Sequence, residues 1–411
     1  MASTYLTRTP SSASNRKTFT FSAWVKPSST TSGVLFSCGT DISNGPLFTI
    51  NFRSDTNIRV EDTISGGTQP INLRTSRLFR DHNAWYHLVV AVDTTQGTAS
   101  DRVKIYVNGE QETSFTSATY PNQNIDTSVN NNHIHAIGAR STSQSGTYYN
   151  GSMSHVHFCD GTALAPTVFG STDSTTGEWK INTSPSFTPG TNGFTILKDG
   201  NTITDQSANS NNWTLAGGTL TKTEDCPSNV FATMNPLVPT TSLNFSNGNT
   251  TLTGTNATNY GSNNTSTLGA SSGKYYFEIE YDTAGSNVSP SVGISPISTS
   301  ATTNPTAAVS DVIVVTMQNQ IYVEGTNSAS YLGSTPTTGD IIQIALDMDN
   351  GKVFFGLNGT FVGDPVAGTG GAFSGITSGE TIALNIRPLN AVFKCNFGNG
   401  YFGTTAVSSA G

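Results

Sequence analysis

The sequence has 411 residues, and only 11% of them are charged, against about 25% in an average soluble protein. Glycine contributes 41 residues, and the strong helix formers never recur at helical spacing over several turns, which excludes an all-α architecture. The apolar share of 35% is enough to bury a core in each of two domains, so we expect a folded, all-β chain.

Charge is distributed unevenly along the chain, whose net charge is −8. Residues 1–165 carry 12 basic and 11 acidic side chains, whereas residues 166–411 carry 7 and 16. Proteins that bind nucleic acid draw their affinity from Lys and Arg side chains, so we expect no nucleic-acid partner. Apolar runs stay far short of the ~20 residues that span a membrane, and the N-terminal residues lack the apolar stretch of a signal peptide. We therefore expect neither membrane insertion nor export by such a signal.

The first half of the chain is a series of short, alternating segments. Residues 18–26 place Phe19, Phe21 and Val25 on one face of a strand, with Trp24 covering the other. Asn108-Gly109 is the clearest signal for a tight hairpin turn. This spacing is typical of an antiparallel sandwich. Similar strands are predicted at 33–38, 46–52, 84–93, 102–107, 133–138 and 151–158.

The second half begins after a proline-containing segment, residues 223–241, whose composition is typical of a connector. Beyond it, residues 273–281 alternate cleanly between apolar and polar side chains, which predicts a half-buried strand. Residues 339–359 describe a meander of two strands with turns at Asn350-Gly351 and Asn358-Gly359. A second β domain is therefore expected over residues 242–411.

The first domain resembles the laminin-G or concanavalin-like jelly roll. The resemblance is carried in order by residues 19–27, 85–93, 103–109 and 149–158. Residues 193–215 resemble the opening of such a domain. This implies that they fold back as its closing strand, so that the first domain spans residues 1–222.

The second domain resembles the SPRY domain, also called B30.2. The segments that carry this resemblance are residues 272–281, 292–294, 339–359 and 393–398. Both resemblances together imply two antiparallel β-sandwich domains of the jelly-roll type in tandem. This pairing is similar to virion proteins of marine bacteriophages.

The four cysteines are far apart, and none forms a C-x-x-C motif, which disfavours a zinc ribbon or a disulfide scaffold. We expect four reduced, mostly buried thiols in a protein that is assembled in a reducing cytoplasm.

Four of the six histidines form two His-x-His pairs, His133/His135 and His155/His157. Residues i and i+2 of a strand share a face, so each pair could offer two imidazoles to one metal ion. The alternative is that these pairs arise by alternation on a solvated strand face, since no Asp, Glu or Cys is obviously placed beside both pairs. We favour the alternative and expect no metal at these four histidines.

Calcium is a separate possibility, because laminin-G-like domains often hold Ca²⁺ at the sandwich rim through Asp carboxylates and carbonyl oxygens. No D-x-D-x-D loop gathers the available carboxylates, which are Asp41, Asp55, Asp62, Asp93 and Asp160. We expect Asp93 and Asp160 to be turn residues that accept backbone hydrogen bonds, and we expect no cofactor, with calcium as the alternative.

No catalytic motif stands out in the sequence. A Gly-x-Ser-x-Gly nucleophile turn is missing, and Glu278 and Glu280 share a strand face, where we expect them to be solvated rather than to face each other across a cleft. Concanavalin-like folds host glycosidases, but the signature Glu-x-Asp-x-x-Glu is missing as well. We expect a protein that is not an enzyme, with a glycan-cleaving enzyme as the alternative.

Ligand binding is expected at the long polar loops of the sandwich rims, where aromatic rings stack on sugars or apolar side chains. The alternative for half or more of these rings is core packing or a contact between protomers. The candidate ligand-binding residues in or beside such loops are Tyr120, Tyr148, Tyr149, Trp213, Tyr260 and Tyr331.

The resemblance to phage virion proteins implies a non-enzymatic surface protein of a bacteriophage, assembled with other virion proteins in the host cytoplasm. We expect a tail-fibre or head-fibre component that binds host-surface glycan or protein and forms a homo-oligomer, most often a trimer. A capsid decoration or cement protein without a receptor is the alternative in the same class.

Overall fold

A computed structural model of the chain contains two compact units. Unit 1 comprises Met1–Lys222 and Cys226–Asn229, and unit 2 comprises Thr223–Asp225 and Val230–Gly411. Within the described residues the only helices are two single 3₁₀ turns, Ala99–Asp101 and Pro166–Val168, so the all-β prediction is confirmed. The structure describes residues 3–28, 32–40, 43, 45–82, 84–141, 147–198, 200–222, 225–238, 242–256, 262–285 and 290–407.

Unit 1 is a sandwich of two main sheets. An eight-stranded sheet has the order β10-β6-β5-β4-β3-β11-β1-β16, and a six-stranded sheet has the order β15-β12-β2-β7-β8-β9. A separate hairpin pairs β13 with β14. The strands are β1 Tyr5–Arg8, β2 Thr18–Pro27, β3 Gly33–Gly39, β4 Leu47–Phe52, β5 Ile58–Thr63, β6 Ile71–Thr75, β7 Tyr86–Asp93, β8 Val103–Val107, β9 Glu110–Gln111, β10 Phe115–Thr119, β11 His135–Ile137, β12 Gly151–Asp160, β13 Gly170–Thr172, β14 Trp179–Ile181, β15 Phe194–Ile196 and β16 Thr214–Gly217.

Alternation along the strands builds the core of unit 1 between the two sheets. Phe19 and Phe21 of β2 are fully buried there and pack near Phe36, Phe48 and Phe158 from neighbouring and facing strands. The other face of β2 would be expected to face solvent in a simple sandwich, yet Trp24 on that face is only 5% exposed. A further layer must therefore cover the six-stranded sheet.

That layer is residues 161–192, which we call the strap. The strap crosses the outer face of the six-stranded sheet and carries the β13–β14 hairpin. Its aromatic rings pack against His87 of β7 and His157 of β12, with Phe169 5.5 Å from His157 and Trp179 6.0 Å from His87, between ring centroids. The strands β12, β2 and β7 are therefore largely buried on both faces, whereas the outer face of β8 stays half-exposed and β9 is exposed.

The last two strands of unit 1 return to its two main sheets. β15 pairs with β12 at the edge of the six-stranded sheet, and β16 pairs with β1 at the edge of the eight-stranded sheet. Trp213, immediately before β16, packs edge-on against Phe194 of β15 at 4.9 Å. Residues 193–217 are thus an integral part of unit 1.

Unit 2 also has two main sheets, with β31 and β32 as a separate pair. An eight-stranded sheet follows the order β17-β18-β30-β20-β25-β26-β27, with β28 also paired to β26, and a six-stranded sheet follows β19-β29-β21-β22-β23-β24. The strands are β17 Leu243–Ser246, β18 Thr251–Gly254, β19 Asn264–Thr265, β20 Lys274–Thr283, β21 Ser291–Pro296, β22 Ile313–Thr316, β23 Gln320–Val323, β24 Thr326–Ala329, β25 Ile341–Asp347, β26 Lys352–Leu357, β27 Thr360–Phe361, β28 Phe373–Ser374, β29 Ile382–Arg387, β30 Val392–Asn396, β31 Tyr401–Phe402 and β32 Thr405–Ala406.

The meander expected over residues 339–359 is β25 followed by β26 and β27. Its second turn places Asn358 and Gly359 at φ values of 49° and 88°, which only Asn and Gly adopt at little cost. Ile279 of β20 and Phe355 of β26 are fully buried in the core of the unit. Alternating residues of these strands therefore form one continuous apolar layer.

All four cysteines are free thiols, and Cys38, Cys159 and Cys395 are buried, as the sequence predicts. No helix in the part of the chain that the structure describes is long and apolar enough to cross a bilayer.

Candidate binding site

A cavity of about 270 Å³ opens at the β15 edge of the six-stranded sheet in unit 1. Four segments form it: the edge strand β15, its neighbour β12, the end of the strap, and the loop that follows Asp205. The lining residues are His157, Ser184, Pro185, Phe187, Pro189, Thr195, Lys198, Gln206, Ser207 and Ala208.

The floor of the cavity is the pair His157 and Thr195, which lie opposite each other on β12 and β15. Their side chains are joined by a contact of 3.0 Å between His157 Nδ1 and Thr195 Oγ1. A bulge precedes His157, since the pairing of β12 with β2 shifts between Ser154 and His157, and His155 adopts a φ of 48°. The bulge re-aims the strand and sets His157 beneath the strap.

One wall of the cavity is polar and is held by Asp205. The two carboxylate oxygens of Asp205 accept hydrogen bonds from the backbone N–H groups of Thr195, Ser207 and Asn211, at 2.8 to 2.9 Å. Gln206 donates its own N–H to the carbonyl of Thr195 at 2.7 Å, which anchors the loop to β15. The exposed amide of Gln206 and the hydroxyl of Ser207 therefore occupy fixed positions at the mouth.

The opposite wall is apolar and comes from the strap. Phe187 stands edge-on to the His157 ring at 5.7 Å and to Phe169 at 5.5 Å, between ring centroids. Pro185 and Pro189 flank it and, like Phe187, are half-buried. Two prolines restrict this segment before any ligand arrives, because each fixes its own backbone φ.

Lys198 supplies the only charge among the lining residues. Burial lowers the pKa of His157 to about 3, so its imidazole is neutral at physiological pH. The cavity thus combines an apolar wall with amide, hydroxyl and ammonium groups on the facing wall. This combination suits a ring-shaped ligand that has one apolar face and several hydroxyl groups.

The two His-x-His pairs lie in different sheets, with His135 on β11 and the pair His155/His157 on β12. The solvated face that we assumed for them is wrong: His135, His155 and His157 are each at most 5% exposed, because the strap and the core cover them. Among the described residues no three His, Cys, Asp or Glu side chains cluster in a way that suits a metal ion. The expectation that these four histidines hold no metal stays a prediction.

Two of the six candidate aromatics belong to the core of unit 1, which corrects their assignment to ligand contact. Tyr149 is 9% exposed and stacks on Phe52 at 6.1 Å, and Trp213 is 4% exposed against Phe194. Long-range strand pairing buries both rings, although their sequence neighbours are polar.

The remaining candidate aromatic residues do not form a common site among the described residues. Tyr120 is half-buried against the core of unit 1, and Tyr148 is half-buried with its ring 5.9 Å from that of Tyr5. Tyr331 packs on the core of unit 2, near Phe355. Tyr260 lies outside the described residues. None of the five described candidates lines the cavity.

The candidate calcium ligands have other partners. Asp93 accepts a hydrogen bond from the N–H of Thr95, two residues on, at 3.0 Å, as expected of a turn residue. Asp160 also accepts a backbone N–H, that of Asn192 at 2.9 Å, but it ends strand β12 and its donor is 32 residues away, so the turn prediction is wrong for Asp160. Asp55 forms an ion pair with Arg74. The carboxylate of Asp62 is buried and accepts the N–H of Ser128 at 3.1 Å, whereas Asp41 lies outside the described residues.

Glu278 and Glu280 share the outer face of β20, but neither is simply solvated, which corrects the sequence-based expectation. Glu278 accepts hydrogen bonds from the hydroxyl of Tyr276 at 2.7 Å and from the amide of Asn396 at 3.0 Å. Glu280 forms an ion pair with Lys394 at 3.4 Å. Both carboxylates are half-buried because cross-strand partners hold them against the sheet.

Phe187, Lys198 and Gln206 are not among the site residues that the sequence predicts. The segment Pro185-Ser-Phe-Thr-Pro189, an aromatic ring between two prolines in a polar loop, is the local signal that was available. Nothing local connects it to Lys198 or Gln206, because only the pairing of β12 with β15 brings these residues together.

Comparison with known proteins agrees with this architecture. A family profile described as the concanavalin A-like lectin/glucanases superfamily, Laminin_G_3, matches residues 2–169, and the SPRY domain profile matches residues 274–398. No curated protein matches the chain.

Solved structures with similarity to parts of the chain include a native heptameric SAP-like pentraxin from Limulus polyphemus, 16% identical over 39% of this chain and 71% of its own, with a TM-score of 0.30. The SPRY domain of human HERC1 is 21% identical over 38% of this chain and 92% of its own, with a TM-score of 0.31. A further human SPRY domain is 17% identical over 38% and 96%, with a TM-score of 0.30. From the two profile matches, the chain carries a laminin G/concanavalin A-like domain followed by a SPRY domain.

Proposed function

We propose that this protein is a non-enzymatic surface protein of a bacteriophage virion, a tail-fibre or head-fibre component that binds host-surface glycan or protein. The observation that carries the binding role is the cavity at the β15 edge of unit 1, where Phe187 faces Lys198 and Gln206 across a neutral His157.

A saccharide is the ligand class that this geometry suits. A sugar ring presents C–H groups on its faces and hydroxyl groups around its rim. The apolar wall formed by Pro185, Phe187 and Pro189 suits a face, and the facing wall, with Lys198 and the exposed Gln206, suits the hydroxyl groups. A cavity of about 270 Å³ is slightly below the roughly 300–1,000 Å³ of typical ligand pockets, so it suits one ring rather than a chain of residues.

The virion assignment draws on the tandem arrangement, which is similar to virion proteins of marine bacteriophages. A durable, weakly charged surface also fits this role, because only 11% of the residues are charged. Immunogold labelling of purified phage particles with antibodies against the full chain should decorate the particle at tail or head fibres. Particles that contain no trace of the chain by mass spectrometry would refute the assignment.

Binding itself is tested on an array of host-surface glycans with the full chain. We expect Phe187→Ala and Gln206→Ala to weaken binding by about tenfold, the loss of one good contact. Gln111→Ala is the matched control, since Gln111 is exposed on β9 at the opposite edge of the same sheet. Equal binding by all three variants would rule out the cavity as the glycan site.

The non-enzymatic role and the oligomeric state have their own tests. Host-surface polysaccharide incubated with the purified chain should keep its molar-mass distribution, whereas depolymerisation would favour the glycan-cleaving alternative. Sedimentation equilibrium should give a homo-oligomer, with a trimer expected of a fibre. A chain that is monomeric in solution and assembles only on capsids would favour the decoration protein.

A further inference from the structure

The outer face of the eight-stranded sheet in unit 1 concentrates arginine. The register pairs Asn51 of β4 with Arg59 of β5, and Arg59 with Arg74 of β6. These residues alternate with the core residues Ile50 and Val60, so they point away from the core. Four arginines and two carboxylates meet on this face, giving a local charge of +2 in a chain whose net charge is −8.

Two of these arginines form ion pairs and hydrogen bonds with neighbouring side chains on the sheet. Arg59 forms an ion pair with Glu61 at 2.5 Å and donates through Nε to the amide oxygen of Asn72 at 3.0 Å. Arg74 forms an ion pair with Asp55 and donates through Nε to the amide oxygen of Asn57 at 3.1 Å. Both carboxylates on this face are therefore already paired.

The other two arginines, Arg53 and Arg140, lack such side-chain partners among the described residues. Each is half-buried, and each has a buried Nε–H group without an acceptor among the described residues. Burial lowers the pKa of Arg140, the negative charge of Glu61 raises it, and the positive charge of Arg53 lowers it again. Glu61 accepts instead from Arg59 and from the hydroxyl of Thr49, at 3.1 Å, and no hydrogen bond or ion pair joins it to Arg53 or Arg140 among the described residues.

Two neighbouring guanidinium groups with buried, unsatisfied donors are unfavourable in an isolated protein. A buried donor without a partner costs about 1–3 kcal/mol, and like charges add to this. An anionic group placed between them would satisfy the donors and remove the repulsion. Guanidinium presents its donors in a planar fork, which matches the oxygens of phosphate, sulfate and carboxylate groups.

We propose that Arg53 and Arg140 form a binding site for one anionic group of a ligand, a phosphate, sulfate or carboxylate, on the outer face of the eight-stranded sheet of unit 1. The site is separate from the cavity, which lies at the edge of the six-stranded sheet, and it does not depend on glycan binding there. Two uncommitted arginines suit a single anionic group, whereas a nucleic-acid backbone needs several cationic contacts.

The test uses the full chain, the variants Arg53→Gln and Arg140→Gln, and the probes inorganic phosphate, sulfate and glucuronate. All four tryptophans lie in unit 1, so tryptophan fluorescence reports the unfolding of this unit alone. Arg80→Gln is the control, because Arg80 is an exposed arginine in the same unit. We expect at least one probe to raise the melting temperature of the wild type and of Arg80→Gln at constant ionic strength.

Neither arginine variant should respond to that probe, and calorimetric titration should show its dissociation constant raised at least about tenfold. Phosphate and sulfate also stabilise proteins non-specifically, so the decisive quantity is the difference between wild type and variant. In chloride alone Arg53→Gln should melt at or above the wild-type temperature, because Arg53 Nε has no acceptor among the described residues. A lower melting temperature of Arg53→Gln in chloride would overturn the proposal. So would variants that respond to every probe as the wild type does, or a wild type that responds to none of the three.

Discussion

The indole N–H of Trp179 donates a hydrogen bond of 3.0 Å to Nδ1 of His87, which lies buried on the outer face of the six-stranded sheet. Because the indole only donates, Nδ1 must accept, and the imidazole proton resides on Nε2, which lies 3.0 Å from the hydroxyl of Ser22. The His87 ring is stacked with Trp24 at 4.9 Å and with Trp179 at 6.0 Å. One neutral histidine therefore fastens the strap to the sheet.

Replacing Trp179 with Phe should loosen this attachment. The variant leaves Nδ1 of His87 buried without a donor, which costs about 1–3 kcal/mol in the free energy of unfolding of unit 1. Urea denaturation followed by the fluorescence of the remaining tryptophans measures the loss. Lys180→Gln, which changes an exposed ion pair on the same hairpin, should leave stability nearly unchanged. Equal stability of Trp179→Phe and the wild type would show that the bond contributes nothing.

Unit 1 should lose stability as the pH falls from about 7 to about 4.5. Burial lowers the pKa of His87 and His157 to about 3 and that of His135 to about 4, all below the ordinary 6.5. Below pH 6.5 the unfolded chain binds protons that the folded chain rejects, so the free energy of unfolding falls with falling pH, by up to about 1.4 kcal/mol per pH unit for each histidine.

Asp62 opposes this trend. Burial raises its pKa from 3.8 to about 6, so between these values the folded state binds the extra proton and its share of stability grows as the pH falls. The three histidines together change the free energy of unfolding more than Asp62 does, so unit 1 becomes less stable on acidification. Urea midpoints of unit 1 across this pH range provide the check, and His87→Phe should flatten the dependence. A midpoint that rises on acidification would contradict the histidine assignment.

Two Asn-Gly turns offer a matched pair of glycine substitutions. Gly109 and Gly359 have φ values of 82° and 88°, so alanine strains both backbones by roughly 1 kcal/mol. A Cβ atom at Gly109 would also collide with the Trp179 ring, whereas one at Gly359 meets open space. We expect Gly109→Ala to lower the melting temperature of unit 1 clearly more than Gly359→Ala lowers that of unit 2, measured by scanning calorimetry. Equal shifts of the two melting temperatures would show that the Trp179 ring moves away from the added methyl group without loss of stability.

Of the four thiols, only that of Cys226 should react quickly in the native protein. Burial raises the pKa of Cys38, Cys159 and Cys395, and the thiolate is the reactive form, whereas Cys226 is half-exposed. Titration with dithionitrobenzoate should show one fast equivalent in native buffer and four in denaturant. Cys226→Ser should remove the fast equivalent, and its persistence in that variant would show that another thiol is accessible.

Strands that alternate with an apolar core face could be predicted from the sequence, and those without this pattern could not. The strand β2 follows from its phenylalanine spacing, and β20 follows from Phe277 and Ile279. Neither β5 nor β6 is predicted from the sequence, because charged and polar side chains separate their apolar residues. The strand β10 has almost no apolar side chain and exists because it pairs with β6 at the edge of the sheet.

The candidate site was less predictable because burial is decided by partners that are remote in sequence. Trp213 sits among polar residues, yet β15 provides Phe194 beside it. Phe187 has equally polar neighbours and remains half-exposed at the cavity, since the strap carries it to the edge of the sheet. Loop composition alone does not distinguish these two rings.

The pairing of β16 with β1 and of β15 with β12 sets a practical limit for recombinant work on unit 1. A fragment truncated at residue 169, where the family profile ends, would lack β15 and β16 and leave β12 and β1 as edge strands. Their unpaired amide and carbonyl groups would promote aggregation. Expression of this half by itself should therefore continue through residue 222, well past the boundary that homology suggests.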